Sequence, residues 1–165
     1  MINKKIAKAI NQQINAELYS SYLYLALSAY YAGHNLLGFA GWLKKQAAEE
    51  ITHAMKFYDF LLDRNGRPSW QAIDQPPAEF GTVVRAFRRS YEHECKVTGL
   101  IHKLYELAKA EKDYSFEQFL HWFIDEQVEE EAQTLQIAET LEQIGEKGSG
   151  IFMLDHQLGK RDNKE

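Results

Sequence analysis

Four long stretches of this chain repeat apolar residues with the 3.6-residue period of an α-helix, and each carries an acidic residue within its apolar stripe. The stretches cover about residues 5–31, 37–63, 82–110 and 115–144. At about 100° per residue, Glu17, Glu50, Glu94 and Glu130 lie on the apolar faces of the four helices. No segment alternates with the period of a strand. The chain is therefore predicted to be all-α, with four carboxylates facing one core.

Buried carboxylates in that number predict bound cations. Moving an isolated ionised carboxylate into a medium of low dielectric costs on the order of tens of kcal/mol, so it normally protonates instead. His53 follows Glu50 by three residues and shares its helix face, so the carboxylate can bridge two metals while the imidazole binds one. Where a second such pair would stand, the chain has Gln127 and Glu130. One metal is therefore expected to be held by oxygen ligands and to bind more weakly.

The breaks between the helices predict the topology. Short turns at residues 33–35 and 112–115, the second with Ser115 as an expected N-cap, predict two antiparallel hairpins. Residues 65–81 hold all three prolines and are expected to be largely non-helical. Extended, they reach roughly 50 Å, which is enough to run the length of a helix. The expected fold is a four-helix bundle with one long crossover between helices 2 and 3 and a short C-terminal fifth helix at 151–160.

Distances along the chain place the candidate ligands at one level of this bundle. Glu17 and His53 each lie 18 residues from position 35, in the first turn. Glu94 and Glu130 each lie 18 residues from position 112, in the second turn. Residues equally far from a hairpin turn face each other, so all candidates are expected near mid-bundle.

Composition limits the function classes. The 165 residues are 45% apolar, which suits one domain over 1–165 with a sizeable core. A net charge of −5 offers no basic patch for nucleic acid. The lone Cys95 cannot form an internal disulfide and is expected to be a buried or semi-buried thiol. With no apolar signal segment and no run near the ~20 residues that span a bilayer, a cytoplasmic protein without a membrane partner is expected.

The motifs that carry these residues resemble those of bacterial non-haem ferritins, over essentially the whole chain. They are Glu17-Leu-Tyr-Ser-Ser with Tyr24 two turns on, Glu49-Glu50-x-x-His53, His93-Glu94, Gln127-x-x-Glu130 within 126–131, and the short terminal helix. Ferritin-like proteins place a Glu on each of two helices and a Glu-x-x-His on the other two, and the chain matches that pattern with one pair altered.

The resemblance implies a di-iron centre and assigns its residues. Glu17, Glu50 and His53 would form one iron site, and Glu50, Glu94 and Glu130 the other, with Glu50 bridging and Gln127 beside them. Glu49, Glu126, Glu129 and Glu130 match a third, nearby iron site. Tyr24 matches a tyrosine adjacent to the centre, and Trp122 lies one to two turns away.

The resemblance also implies the reaction. Two Fe(II) ions would be oxidised by O2 or H2O2, and Fe(III) would pass to a hydrated oxide core inside a hollow 24-subunit cage. Hard oxygen ligands favour Fe(III) over Fe(II), which lowers the barrier to electron loss. Bacterioferritins carry a haem-ligating Met directly after the Glu of the first Glu-x-x-His pair. That position is Ile51 here, so no haem is expected.

Three alternative interpretations assign the chain to a different class of protein. A di-iron peroxidase or oxygenase would retain its metals, but such enzymes usually keep both histidines. A mini-ferritin of the DNA-protection type builds its iron site between subunits and lacks the terminal helix. A purely structural bundle would not bury so many acids. Glu131 and the remaining histidines are expected to be surface or packing residues.

Overall fold

The computed structural model describes residues 2–160, which form five α-helices. They are α1 (Lys4–Gly33), α2 (Leu37–Asp63), α3 (Val83–Ala110), α4 (Tyr114–Ile144) and α5 (Gly150–Leu158). The helix ends lie within two residues of those expected from the apolar period. None of the helices in the described range has the length and apolar content needed to cross a membrane.

Three of the helices are followed, just beyond the C-cap residue, by a residue in the left-handed backbone conformation. Asn35, Asn65 and Lys112 have φ values of 57°, 56° and 56°. The reversal lets the next amide bond back into the helix, as where the Asp113 N–H donates to the Ala108 carbonyl at 2.9 Å. Asparagine tolerates this conformation, whereas lysine has no local compensation for it.

The turn into α4 is capped by Asp113, so the expected Ser115 cap was wrong. The Asp113 carboxylate accepts from the Phe116 N–H at 3.1 Å and from both terminal nitrogens of Arg64, at 2.9 and 3.0 Å. The arginine hydrogen bonds lower the pKa of Asp113. A cap that is also an ion-pair partner fixes the end of α2 against the start of α4, and Ser115 is left in the first helical turn.

The crossover between α2 and α3 is non-helical and lies along α1. The Asn11 side chain donates to the Arg67 carbonyl at 3.1 Å, the Asn15 side chain to the Ala72 carbonyl at 3.1 Å, and the Tyr30 hydroxyl to the Gly81 carbonyl at 2.7 Å. These contacts supply partners for a segment that lacks its own ladder of hydrogen bonds. They confirm the predicted long crossover.

Two apolar clusters fill the bundle, one toward each end. Tyr31 stacks on Phe39 in the cluster that also packs against α5, with ring centroids 4.9 Å apart. Phe57 stacks on Phe123 in the cluster at the other end, at 4.2 Å. Buried polar side chains occupy the level between the two clusters. The apolar packing therefore holds the helices together on both sides of a polar layer.

Helix α5 packs against the start of α2. The Leu36 side chain caps nothing at that start, and Asp155 of α5 instead accepts the Phe39 N–H at 2.9 Å. Gly38 makes the approach possible, because a Cβ there would lie 1.7 Å from the Asp155 carbonyl oxygen. A carboxylate at a helix N-terminus also interacts favourably with the positive end of the helix dipole.

Replacing Lys112 by glycine is expected to stabilise the protein. A left-handed non-glycine residue costs about 1–2 kcal/mol, and the added freedom of glycine in the unfolded chain returns about half of that. Calorimetry of the metal-free protein should show a thermal midpoint raised by a few degrees, on the order of the shift for 1 kcal/mol. The matched control is Lys109→Gly in the last turn of α3, which should lower the midpoint. Equal losses for both variants would contradict the assignment of strain to Lys112.

Candidate metal centre

The polar layer contains one buried carboxylate from each of the four long helices. Glu17, Glu50, Glu94 and Glu130 are exposed by only 1%, 2%, 1% and 4%. Within residues 2–160, none of them forms an ion pair with lysine or arginine. Four buried acids without a cationic side chain need protons or metal ions to offset their charge.

The i,i+3 spacing on α2 brings an imidazole into this layer. The Nδ1 atom of His53 lies 3.4 Å from the Glu50 carboxylate, and its Nε2 atom lies 3.8 Å from the Glu126 carboxylate of α4. His53 is 4% exposed, and its ring edge faces Phe123 with centroids 6.1 Å apart. Both ring nitrogens thus face carboxylates, which is the environment of a metal-binding histidine.

Two groups of side chains in the described part of the chain have ligand atoms close enough to share a metal ion. Glu17, Glu50 and His53 form the first group, and His53, Glu126 and Glu130 form the second, with ligand atoms within 4.8 Å of one another in each. The first group coincides with one expected iron site. The second joins the histidine to an expected ligand and to a residue expected for the third site.

Glu94 belongs to neither group, and both of its carboxylate oxygens accept hydrogen bonds. The Tyr24 hydroxyl donates to one oxygen, and the Gln127 amide donates to the other at 3.2 Å. The same amide also contacts the Glu94 carbonyl at 3.3 Å and the Thr98 hydroxyl at 3.2 Å. Tyr24 and Gln127 therefore lie at the layer, where they hold the α3 carboxylate.

Two further glutamines of the layer were not predicted from the sequence. Gln13 is 3% exposed and donates to one oxygen of Glu17 at 2.8 Å; Gln46 is fully buried and donates to one oxygen of Glu130 at 2.7 Å. Each stands four residues before a predicted ligand of its own helix, Glu17 or Glu50, and this spacing was the available signal. The other Glu17 oxygen is buried and has no hydrogen-bond partner, as expected for an atom that awaits a cation.

The residues expected for a third site lie at the edge of the layer. Glu49 and Glu126 are half-buried, and the charge of Glu49 raises the pKa of Glu130. Glu129 is exposed and accepts from the Gln133 amide at 2.7 Å. The structure thus gathers Glu126 with Glu130, while Glu129 lies outside that group.

Burial dominates the acidity of the layer. It raises the pKa of Glu17, Glu50 and Glu94, and raises that of Glu130 to about 8, with the charge of neighbouring carboxylates as a further cause at Glu17, Glu50 and Glu130. The pKa of Tyr24 is raised by burial and then by the charge of Glu94. In the metal-free protein the Glu130 carboxyl therefore keeps its proton at neutral pH, and a divalent cation would displace that proton.

Three side chains near the layer complete the comparison with the sequence. The ring of Trp122 lies 5.4 Å from that of His53 and is 40% exposed, with the Lys56 ammonium 4.2 Å above it. Cys95 is exposed, so the expected buried thiol was wrong; it follows the inward-facing Glu94 and the helix turns it outward. Glu131 is half-buried and accepts from the Thr98 hydroxyl at 2.5 Å, so it is not a simple surface residue.

Comparison with known proteins agrees with this architecture. The family model of the ferritin-like domain matches residues 7–144. A bacterial non-heme ferritin of Bacteroides fragilis is 42% identical over 161 residues, covering 98% of this chain and 100% of that protein. A bacterial non-heme ferritin of Staphylococcus aureus is 34% identical over 161 residues, covering 98% of this chain and 97% of that protein.

Solved structures show the same fold. An open-pore ferritin from the hyperthermophilic archaeon Archaeoglobus fulgidus superposes with a TM-score of 0.95 at 46% identity, covering 97% of this chain and 98% of that one. An engineered closed form of the Archaeoglobus fulgidus ferritin also superposes with a TM-score of 0.95, at 45% identity and 98% coverage of both chains. The chain belongs to the ferritin family and is a ferroxidase of the bacterial non-haem type.

Proposed function

We propose that the chain oxidises Fe(II) within its own four-helix bundle, with O2 or H2O2 as the oxidant, and stores the product as hydrated ferric oxide in the cavity of a 24-subunit cage. The observation that carries this proposal is the layer of four buried carboxylates around one imidazole, without a lysine or arginine partner in the described chain. Iron is the substrate and the cargo of this layer.

The two iron positions follow from the ligand groups. Glu17, Glu50 and His53 would bind one Fe(II), since their ligand atoms already lie within 4.8 Å of one another. Glu50 would bridge to a second Fe(II) held by Glu130 and Glu94. That step requires one Glu94 oxygen to exchange its hydrogen bond for the metal. The second ion lacks a histidine of its own, which favours weaker binding.

A third iron would bind beside this pair through Glu49, Glu126, Glu129 and Glu130. The proximity of Glu126 to Glu130 supports it, as does the charge of Glu49 on Glu130. Glu49, Glu126 and Glu129 are more exposed than the four acids of the layer. They would accept iron from the pair and pass it outward.

The chemistry uses oxygen ligands and protons. Binding of Fe(II) displaces protons from carboxylic acids whose pKa is raised, so uptake should release protons. Two Fe(II) ions then give two electrons to O2, which takes two protons and leaves as H2O2, or to H2O2, which takes two protons and leaves as two waters. Carboxylates stabilise the resulting Fe(III), because a hard cation prefers charged oxygen ligands.

The cage is proposed from likeness to ferritins and from exposed apolar side chains on α5 and at the start of α2. Leu37, Phe152 and Met153 are exposed by 69%, 67% and 77% in the single chain, and such apolar side chains favour contact with further copies. A cytoplasmic location without nucleic-acid or membrane partners is proposed from the net charge of −5 and the absence of apolar spans in the described helices. Ile51 at the haem-ligand position supports a protein without haem.

Iron retention separates storage from the main alternative, a di-iron peroxidase or oxygenase that keeps its metals. After a large excess of Fe(II) is added in air and the product is passed through a sizing column, we expect a large soluble particle that retains far more iron than its binding sites hold. The measurement is iron per chain in the protein peak. A small oligomer that stops at about two irons per chain, as a resident di-iron cofactor would, overturns storage.

Removing the bridging carboxylate is expected to abolish rapid oxidation. Glu50→Gln keeps the shape of the side chain but removes its charge, so the first-phase rate of Fe(II) oxidation should fall by about 100-fold or more. Stopped-flow absorbance of Fe(III) formation measures the rate. The matched control is Glu139→Gln, an exposed acid on α4, which should leave the rate unchanged. Similar rates in both variants would exclude the layer as the oxidation site.

The metal-free protein is expected to lose stability as pH rises from about 5 to 8. A carboxylic acid whose pKa is raised from 4.5 to about 8, as for Glu130, binds its proton more tightly in the folded state, so its stabilising effect is lost through that window. Thermal midpoints should fall with pH, less steeply in Glu130→Gln. Redox-inert Zn(II) should restore the midpoint at pH 8, since it takes the place of the protons. A midpoint that rises with pH in the metal-free protein would contradict this account.

A further inference from the structure

The carboxylates of the layer differ in how many of their oxygens are free. Glu17 and Glu130 each have one oxygen held by a buried glutamine amide, at 2.8 Å from Gln13 and 2.7 Å from Gln46. The Glu50 carboxyl instead shares a hydrogen bond with the Glu17 carboxyl and lies 3.4 Å from the His53 ring, and neither contact involves an amide. The glutamine amides thus distinguish two kinds of metal-facing acid: Glu17 and Glu130, each held at one oxygen by an amide, and Glu50.

We propose that Gln13 and Gln46 are positioning residues that restrict Glu17 and Glu130 to binding iron through one oxygen each, and so leave Glu50 as the acid with two oxygens free of amides and able to bridge. This inference rests on the proposed function, because it concerns how the same layer presents its ligands. It adds two residues that act on iron through the carboxylates they hold.

The geometry supports one-oxygen binding at Glu17. Gln13 donates to Oε1, and Oε2 is the buried atom without a partner. The carboxylate belongs to the group in which Glu50 and His53 also offer ligand atoms. A hydrogen bond to an ionised oxygen is stronger than one between neutral groups, so a metal would take the free oxygen before it displaced the amide.

The geometry at Glu130 adds a link between two helices. Gln46 lies on α2, one turn before Glu50, yet its amide reaches Glu130 on α4. The contact therefore holds an α4 ligand at a fixed place relative to the bridging acid. The Thr134 hydroxyl also donates to the Glu130 backbone carbonyl at 2.6 Å, which holds the backbone of the same residue.

Packing alone does not account for these glutamines. A buried amide costs free energy unless it is hydrogen-bonded, and an apolar side chain of similar volume would fill the same space without that cost. Gln13 is 3% exposed and Gln46 is fully buried. Their amides are directed at ligand oxygens, so the cost is offset only when the carboxylates are held.

One-oxygen binding suits a site that must release its product. A carboxylate that chelates Fe(III) with both oxygens dissociates more slowly than one that uses a single oxygen, since two bonds must break before exchange. By occupying the second oxygen, Gln13 and Gln46 favour passage of Fe(III) out of the layer. Their loss should therefore affect later turnovers more than the first.

The test compares Gln13→Met and Gln46→Met with Ser21→Ala in the assembled, metal-free protein. Methionine is unbranched and fills a similar volume without an amide. Ser21 is the control, because its buried hydroxyl also joins α1 to α2, at 2.7 Å from the Ala47 carbonyl, but touches none of the carboxylates. Co(II) serves as a redox-inert probe, and its visible absorption reports the number of bound atoms.

Because the freed carboxylate can bind through both oxygens, we expect each glutamine variant to bind Co(II) more tightly, by a factor on the order of 10, the magnitude usual for removing a partner of a metal ligand. The visible Co(II) band should weaken as a freed carboxylate binds through both oxygens and the coordination number rises. With Fe(II), the first oxidation phase should persist while later phases slow. Ser21→Ala should match the wild type in all three measurements.

The outcomes separate this inference from the proposed function. Glutamine variants that match Ser21→Ala in Co(II) affinity, Co(II) spectrum and turnover overturn the positioning role. A wild-type Co(II) spectrum that Glu50→Gln leaves unchanged overturns the metal centre itself. If one glutamine variant fails to fold, judged by helical circular dichroism, the other tests the inference at an independent site.

Discussion

A carboxyl group buried in a protein must hold a proton or, when ionised, have a cation or several hydrogen bonds beside it, and this bundle places four such groups at one level. Neither lysine nor arginine pairs with them in the described chain, so the charge must be offset by protons in the metal-free protein and by metal ions when iron is bound. This requirement explains why amide and hydroxyl donors surround the layer. It also explains why the four acids, one from each long helix, face one another.

The layer of buried acids adds little to the stability of the fold. That stability comes instead from the rest of the bundle. Apolar clusters pack on both sides, and contacts outside the layer join the helices: the Asp113 cap paired with Arg64, and the Asp155 carboxylate at the start of α2. Such contacts keep the acids close despite their mutual repulsion. A site that destabilises its own protein without metal is a familiar compromise between stability and activity.

The 3.6-residue apolar period predicted those features of the site that depend on local sequence alone. It placed Glu17, Glu50, Glu94 and Glu130 on inward faces, because a residue's direction on a helix depends only on its spacing from its neighbours. It could not place partners that depend on other helices. The Asp155 contact joins residues 116 positions apart, and the amide of Gln46 turns toward α4 only once the bundle has formed. Hydrogen-bond direction is a tertiary property, and the period contains no information on it.

A storage protein must bind iron tightly enough to oxidise it and loosely enough to release it. The proposed centre would separate these tasks by position: His53 and Glu50 offer ligand atoms beside Glu17, while on the other side His53 faces Glu130 and the half-buried Glu126. A second histidine on α4 would tighten the far position, and Gln127 instead uses its amide on Glu94. In the proposed centre the weaker ligand set would therefore be on the side with the more exposed acids, and Fe(III) would leave in that direction.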